Sequence, residues 1–236
     1  MKGRTIYLTT LERIEVLTPS VRSFFLRLPP GQKLDFIPGQ FISVHVTKEG
    51  KMIRKPYSIA SPPIDPTLLE LCIKRVEGGF VSNTLFSFSS GAAIPIDGPD
   101  GVFVLKNHFD SDLFFIGAGT GIAPLRSMIR WLFHAGFSRE ASLIFGVRNE
   151  KEILYEKEFR SLEEKHSNFH FIPTISRPVH WKGERGYVQE KLDAWIGNPD
   201  GKKVYLCGLP AMVNAVREKL KSIGFNRKEI AYEKYV

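Results

Sequence analysis

Residues 54–61 read RKPYSIAS: two cations, a proline, then a tyrosine and a serine. A strand with that order presents charge, an aromatic ring and a hydroxyl side by side, which suits a flat ligand carrying phosphates. A surface strand that closes on the prolines of SPPIDP is the plainer account of the same residues. Further on, FFIGAGTGIAP sets Gly117, Gly119 and Gly121 between a strand-like run and a helix-like one. Such a turn brings backbone N–H groups and a helix N-terminus up to a pyrophosphate, although any tight strand-to-helix turn favours glycine. Its spacing is G-x-G-x-G-x-x-P rather than the dinucleotide fingerprint G-x-G-x-x-G. Arg148 of GVRN also stands where that fingerprint would have an acidic ribose anchor. Cys207 of CGL, with Glu233 and Tyr235 of YEKYV, completes the set with chemistry to offer. Alone, Cys207 reads as a small core hydrophobe at a strand end, and Glu233 as a solvated edge-strand acid.

These residues need two kinds of scaffold. Up to about residue 108 the chain carries short strand-like runs broken by Pro and Gly: RTIYLTTLERIEVL, SVRSFFLRL, QFISVHVT, PYSIAS, LLELCIKRV and AAIPIDGPDG. In the fifth, Leu69, Leu71 and Ile73 alternate with Glu70, Cys72 and Lys74, the two-residue period of a half-buried strand. Regular short strands with turn signals predict a small antiparallel barrel, with one short helix beginning near Ser82. From about Asp112 the rhythm changes. The runs DLFFIGAG, ASLIFGV, FHFIPTI, KVYLCG and EIAYEKY alternate with helical segments. These are the stretch after the glycine turn, EKEFRSLEEKH, GYVQEKLDAWI and PAMVNAVREKLKSI. That alternation predicts a parallel sheet with helices on both faces. The expected organisation is a β-barrel domain at 1–108 and an α/β domain at 109–236, divided within KNHFDSD.

Composition narrows the function classes. Two cysteines, Cys72 and Cys207, cannot make a four-thiolate cluster or a disulfide framework. His166 and His170 have helix-like spacing without partners for a metal site, so no metal is expected. No apolar run approaches a bilayer span, and the first residues lack an apolar signal region, so a cytoplasmic protein without membrane insertion is expected. The net charge of +8 favours acidic company, or simply serves solubility. Its basic residues are scattered, with no tract of five, which argues against nucleic acid.

Taken in order, RKPYS, LCIKR, GGFVSNTL, GAGTGIAP, CGLPAM and YEKY resemble the ferredoxin–NADP reductase family over nearly the whole chain. The resemblance implies bound FAD in the first domain. Tyr57 would stack on the flavin, Ser58 would point to its N5, and Lys55 would replace the usual arginine at the phosphates. Arg54 is the alternative if a bulge at Pro56 turns it round. Cys72, Ile73 and Lys74 would run along the flavin, and Gly79, Val81 and Ser82 would form its pyrophosphate turn, Ser82 also serving as a plain helix cap on the other reading. In the second domain Gly119, Thr120 and Gly121 would take the nucleotide pyrophosphate, with Arg148 nearby. Cys207, Gly208 and Leu209 would lie beside the nicotinamide, with Thr120 on the nicotinamide side. Ser176, Arg177, Arg185, Tyr187 and Gln189 would hold the adenine end, favouring NADP(H) over NAD(H). Ser58, Cys207, Glu233 and Tyr235 are the implied catalytic set, with Tyr235 covering the flavin's second face. The implied reaction carries electrons between NAD(P)H and a one-electron carrier, an acidic ferredoxin or flavodoxin. A flavin reductase, an oxygenase reductase component and an electron-transfer subunit of a larger complex are the rival roles.

Overall fold

The structure is a computed structural model and describes residues 4–106 and 110–235. Its chain groups into two compact units. One holds the residues up to Leu105 together with Arg126–Phe133; the other holds Lys106–Leu125 and the residues from His134 onward. The division expected between 108 and 109 lies outside the described residues.

The first unit contains β1 (Ile6–Thr18), β2 (Val21–Arg27), β3 (Phe41–Lys48), β4 (Lys51–Ser58), β5 (Leu68–Lys74), the helix α1 (Phe80–Ser87) and β6 (Ala93–Asp100). They form one antiparallel sheet in the order β4-β3-β6-β1-β2-β5. Its two edges meet: Ile59 bridges Leu71, and the Ala60 N–H donates to the Glu70 carbonyl at 2.7 Å. The closed sheet encloses Phe24, Leu26, Ile42, Leu69 and Ile96, each almost wholly buried. PYSIAS is only the end of its strand. β4 starts at Lys51 because Glu49 and Gly50, at φ 50° and 75°, make a two-residue hairpin turn from β3.

β5 departs from the half-buried pattern. Leu69, Leu71 and Ile73 face the core as expected, but Glu70 and Cys72 are also buried, at 3% and 5% exposure. The physical reason is a counter-charge. Glu70 accepts from Ser23 Oγ and from Arg126 Nη1, each at 2.7 Å, and the same Nη1 donates to the Ala60 carbonyl at 2.9 Å.

The second unit holds β7 (Asp112–Ala118), most of the described remainder, and the start of α2 (Ile122–His134). Then come β8 (Ala141–Val147), α3 (Glu156–Lys165), β9 (Phe169–Ile175), β10 (Glu184–Arg185), α4 (Leu192–Trp195), β11 (Lys202–Gly208), α5 (Pro210–Ser222) and β12 (Ile230–Lys234). All pairings are parallel, in the order β10-β9-β8-β7-β11-β12. One face of the sheet packs Ile116, Ile144 and Leu206 on Val213, Val216 and Leu220 of α5. On α3, Phe159 packs its ring at a tilt against Phe169 and Phe171 of β9. GYVQEKLDAWI is not one helix: a 3-10 turn at Val188–Lys191 precedes the four residues of α4. The Glu190 side chain reaches back to the Tyr187 backbone and tightens that start.

Candidate functional site

In the first unit, the β3–β4 register runs without a shift from Phe41↔Ser58 to Lys48↔Lys51. Pro56 therefore makes no bulge, and Lys55 and Tyr57 share one face of β4 while Arg54 points to the other. Arg54 is committed elsewhere. Its Nε and Nη2 grip Asp97 at 2.8 and 2.6 Å, and His45 Nε2 lies 2.5 Å from the same carboxylate. Burial alone would raise the Asp97 carboxyl; hydrogen bonds from Arg54, His45 and Arg4 outweigh it and hold it down at about 2.

Lys55 is exposed, Tyr57 is half-buried and Ser58 is 7% exposed at the end of the strand. Burial pushes the Tyr57 phenol up to about 12, so the ring stays neutral at physiological pH. On β5, Cys72 and Ile73 are buried and Lys74 is exposed. The expectation of a turn at Gly79–Ser82 is met by the start of α1, but its details differ. The cap is Gly79, not Ser82, and no side chain caps the helix. Ser82 Oγ accepts from the Val76 N–H at 3.1 Å and donates to the Gly79 carbonyl at 3.2 Å. Its hydroxyl braces the turn from inside. A Cβ at Gly79 would come within 2.9 Å of that oxygen, so glycine is needed there. The first turn of α1 has no acidic residue, and Val81 and Ser82 are buried. Uncapped N–H groups without a competing carboxylate fit a phosphate group. These features together fit FAD.

In the second unit, the sheet order reverses at β7, whose neighbours β8 and β11 lie on opposite sides. Ligands of open α/β sheets bind at such a switch point, beyond the carboxyl ends of the strands. The turn Gly119–Gly121 follows β7 there. A Cβ at Gly121 would lie 2.4 Å from the Cys207 carbonyl oxygen, so only glycine lets the turn lie against β11. Gly119 has φ +54° with open space around it, Thr120 is half-buried, and no side chain caps the turn. A dinucleotide pyrophosphate fits this arrangement.

Beside the turn, β11 ends with Cys207 fully buried, Gly208 buried and Leu209 65% exposed. β12 pairs with it so that Glu233 stands opposite Cys207, and the Tyr235 N–H donates to the Gly208 carbonyl at 2.9 Å. Burial pushes the Cys207 thiol up, the Glu233 charge adds to this, and a side-chain hydrogen bond with Tyr235 opposes it. Cys207 is therefore a protonated thiol rather than a nucleophile. Glu233, expected on the alternative reading to be a solvated edge acid, is half-buried.

The residues assigned to the adenine end gather at the carboxyl ends of β8, β9 and β10. Arg148 and Arg177 are exposed, and the Arg177 N–H donates to the Arg148 carbonyl at 2.7 Å. Ser176 is half-buried, with its N–H on the Val147 carbonyl at 3.0 Å. Arg185 is exposed and spends Nε and Nη2 on the Trp181 carbonyl, at 3.2 and 2.6 Å. Tyr187 is 60% exposed and Gln189 half-buried. Sequence reasoning missed Arg126, which bonds Glu70, Asp97, which takes up Arg54, and Glu150, which accepts from the N–H groups of Val179 and His180. Among the described residues no group of three or more His, Cys, Asp or Glu side chains is placed to hold a metal ion. No helix among them is long and apolar enough to cross a membrane.

Comparison with known proteins agrees with this geometry. Residues 8–105 match the oxidoreductase FAD-binding domain, and residues 115–218 the oxidoreductase NAD-binding domain. The chain is 33% identical over 234 residues to a protein of Sorangium cellulosum named ferredoxin–NADP reductase B, covering 95% of this chain and 96% of that protein. It is 34% identical over 217 residues to a Ralstonia protein named as the ferredoxin–NAD(P)+ reductase component of naphthalene 1,2-dioxygenase/salicylate 5-hydroxylase systems. That match covers 91% of this chain and 64% of the relative, so the chain spans about two thirds of the relative's length. The fold is that of a ferredoxin–NADP+ reductase from Neisseria gonorrhoeae solved with FAD and NADP, at TM-score 0.85, 23% identity and 99% coverage of both chains. An antiparallel barrel for FAD and a parallel sheet for a nicotinamide nucleotide, in one chain, make this an oxidoreductase that moves electrons from NAD(P)H, and the chain belongs to the ferredoxin–NADP reductase family.

Proposed function

We propose that the chain exchanges electrons between NADPH and a small acidic one-electron carrier, a ferredoxin or flavodoxin, with residues 1–108 holding FAD and 109–236 the nucleotide. FAD when bound would supply the chemistry, taking up one hydride and giving up its two electrons singly. The chain's residues bind, orient and polarise. Lys55 meets the flavin phosphates, Tyr57 lies against its ring, and Ser58 offers a hydroxyl to its reactive nitrogen. The backbone from Cys72 to Lys74 flanks the flavin, and Gly79, Val81 and Ser82 cradle its pyrophosphate.

The observation that carries the reading is the pairing of Glu233 with Cys207 beside the Gly119–Gly121 turn. It puts a carboxylate, a neutral thiol and uncapped N–H groups at the switch point of one sheet. Gly119 and Gly121 take the nucleotide pyrophosphate, Thr120 the nicotinamide side, and Cys207, Gly208 and Leu209 the nicotinamide itself. Glu233 orients the carboxamide and exchanges protons locally. Tyr235 supplies an aromatic face for the flavin. Ser176, Arg177 and Arg185, with Arg148, Tyr187 and Gln189, take the adenine end and its 2′-phosphate. Two guanidinium groups near a hydroxyl suit a dianion. The net charge of +8 suits an acidic carrier.

A role as the reductase component of an oxygenase system is the second reading, favoured by the name of the Ralstonia relative. The test is anaerobic. The FAD-loaded chain is mixed with NADPH or NADH, then with an acidic ferredoxin. Faster flavin reduction by NADPH and direct reduction of the ferredoxin support the proposal. Reduction of the carrier only in the presence of an oxygenase component supports the second reading.

A further inference from the structure

The segment from Ser176 to Arg185 carries three of the residues assigned to the 2′-phosphate, and its fastening is uneven. Its first two residues are zipped to the end of β8 by their N–H groups, and its last two form β10 against Thr174 and Ile175. Between them the loop folds on itself: the Trp181 indole donates to the Glu184 carbonyl at 3.0 Å, and Arg185 grips the Trp181 carbonyl. The middle is largely open to solvent. Val179 is 72% exposed and His180 is exposed. One oxygen from outside fastens it: Glu150 Oε1 accepts from the N–H of Val179 at 2.8 Å and of His180 at 2.9 Å. Backbone hydrogen bonds, first from its own residue and then from Val179, hold the Glu150 carboxyl below the usual range, so it is ionised at neutral pH. Glu150 itself sits in the short 3-10 turn directly after Asn149, next to Arg148, so the brace is rooted in the same strand end that meets Arg177.

We propose that Glu150 is a positioning residue for nucleotide selectivity: its carboxylate fastens the Ser176–Arg185 loop so that the cations of that loop face a 2′-phosphate. The inference rests on the assignment of Arg177 and Arg185 made above. An acid near a phosphate site also has an opposite effect available to it, since its charge repels the dianion. The two effects differ in sign. The brace needs an acceptor oxygen, which glutamine keeps; the repulsion needs the charge, which glutamine lacks.

The experiment compares Glu150→Ala, Glu150→Gln and Arg177→Ala in the FAD-loaded protein. Steady-state rates are taken with NADPH and with NADH, with ferricyanide as acceptor, beside hydrogen exchange of the segment containing Val179 and His180. Glu150→Ala is expected to speed exchange in that segment and to raise KM for NADPH about five- to tenfold, with kcat and the NADH parameters unchanged. Glu150→Gln is expected to stay within about twofold of the parent on both readouts. Faster exchange in Glu150→Ala without loss of NADPH preference, while Arg177→Ala loses it, overturns the inference and leaves the phosphate assignment standing. Tighter NADPH binding in both Glu150 variants overturns it in favour of repulsion. Unchanged exchange in Glu150→Ala overturns the brace. An Arg177→Ala variant that affects both nucleotides equally removes the assignment, and the inference with it.

Discussion

Replacing Arg126 by alanine should be among the most damaging single changes available in the first unit. Its side chain is 5% exposed and that of Glu70 is 4% exposed. One Nη1 serves both the carboxylate and the Ala60 carbonyl, beside the point where the barrel edges meet. Truncation takes the guanidinium away from a buried carboxylate that also accepts from Ser23 Oγ, and removes the donor of a buried carbonyl as well. Breaking such a pair costs about 3–5 kcal/mol. Urea unfolding of the FAD-loaded protein, followed by far-UV circular dichroism and by flavin release, measures it. The paired replacement Arg126→Leu with Glu70→Met should recover most of the loss, because apolar groups of similar volume remove both desolvation penalties. If Arg126→Ala costs less than about 1 kcal/mol, the range of a surface pair, the compensation argument fails. The same holds if the double variant is no better than the single one.

Ser82→Ala should weaken FAD retention by about 1–2 kcal/mol, because it orphans the Val76 N–H inside the pyrophosphate turn; ultrafiltration measures this, and FMN in place of FAD in the extract would refute the turn's assignment. Glu233→Ala should leave FAD bound but slow flavin reduction by saturating NADPH, by up to roughly a hundredfold; an unchanged stopped-flow rate returns Glu233 to the surface. The folded value of about 2 for Asp97 lies below the ordinary 3.8. Its stabilisation is therefore complete above about pH 5 and is lost as pH falls through 4 towards 2, amounting to about 2 kcal/mol. Acid unfolding of Asp97→Asn should lack that slope between pH 4 and 2, and a slope equal to the parent's would refute it.

The strands of both units were legible because short apolar runs between Pro and Gly have few other ways to bury themselves. β10 was not, since Glu184 and Arg185 have no pattern of their own and are a strand only by pairing with β9. Glu70 read as the solvent face of a half-buried strand because its counter-charge is 56 residues away, on a helix whose apolar stripe hides one arginine. The grouping of Arg126–Phe133 with the first unit was invisible for the same reason. At the candidate site, Lys55, Tyr57, the glycine turn and Glu233 were singled out by local motifs and their resemblance to a family. What spacing could not reveal is what holds them. Ser82 works from inside its turn, Arg54 serves Asp97, and Glu150 looked like one acid among many in EKEILYEKE.

The split pairing of β1 has a consequence for how the chain folds. Thr10–Thr18 pair with β2, which follows at once, whereas Ile6–Thr9 pair only with β6, as Ile6 with Asp97. Closing a loop of about ninety residues costs about 4 kcal/mol of chain entropy before any contact offsets it. During synthesis IYLTT therefore waits as an open edge, uncharged and rich in strand-forming residues, with Ile6 and Leu8 still more than half exposed after folding. Until β6 arrives, any extended segment of another nascent chain competes for the same hydrogen bonds. The yield of native protein should thus be set by crowding and chaperone supply in that interval, rather than by the stability of the finished barrel.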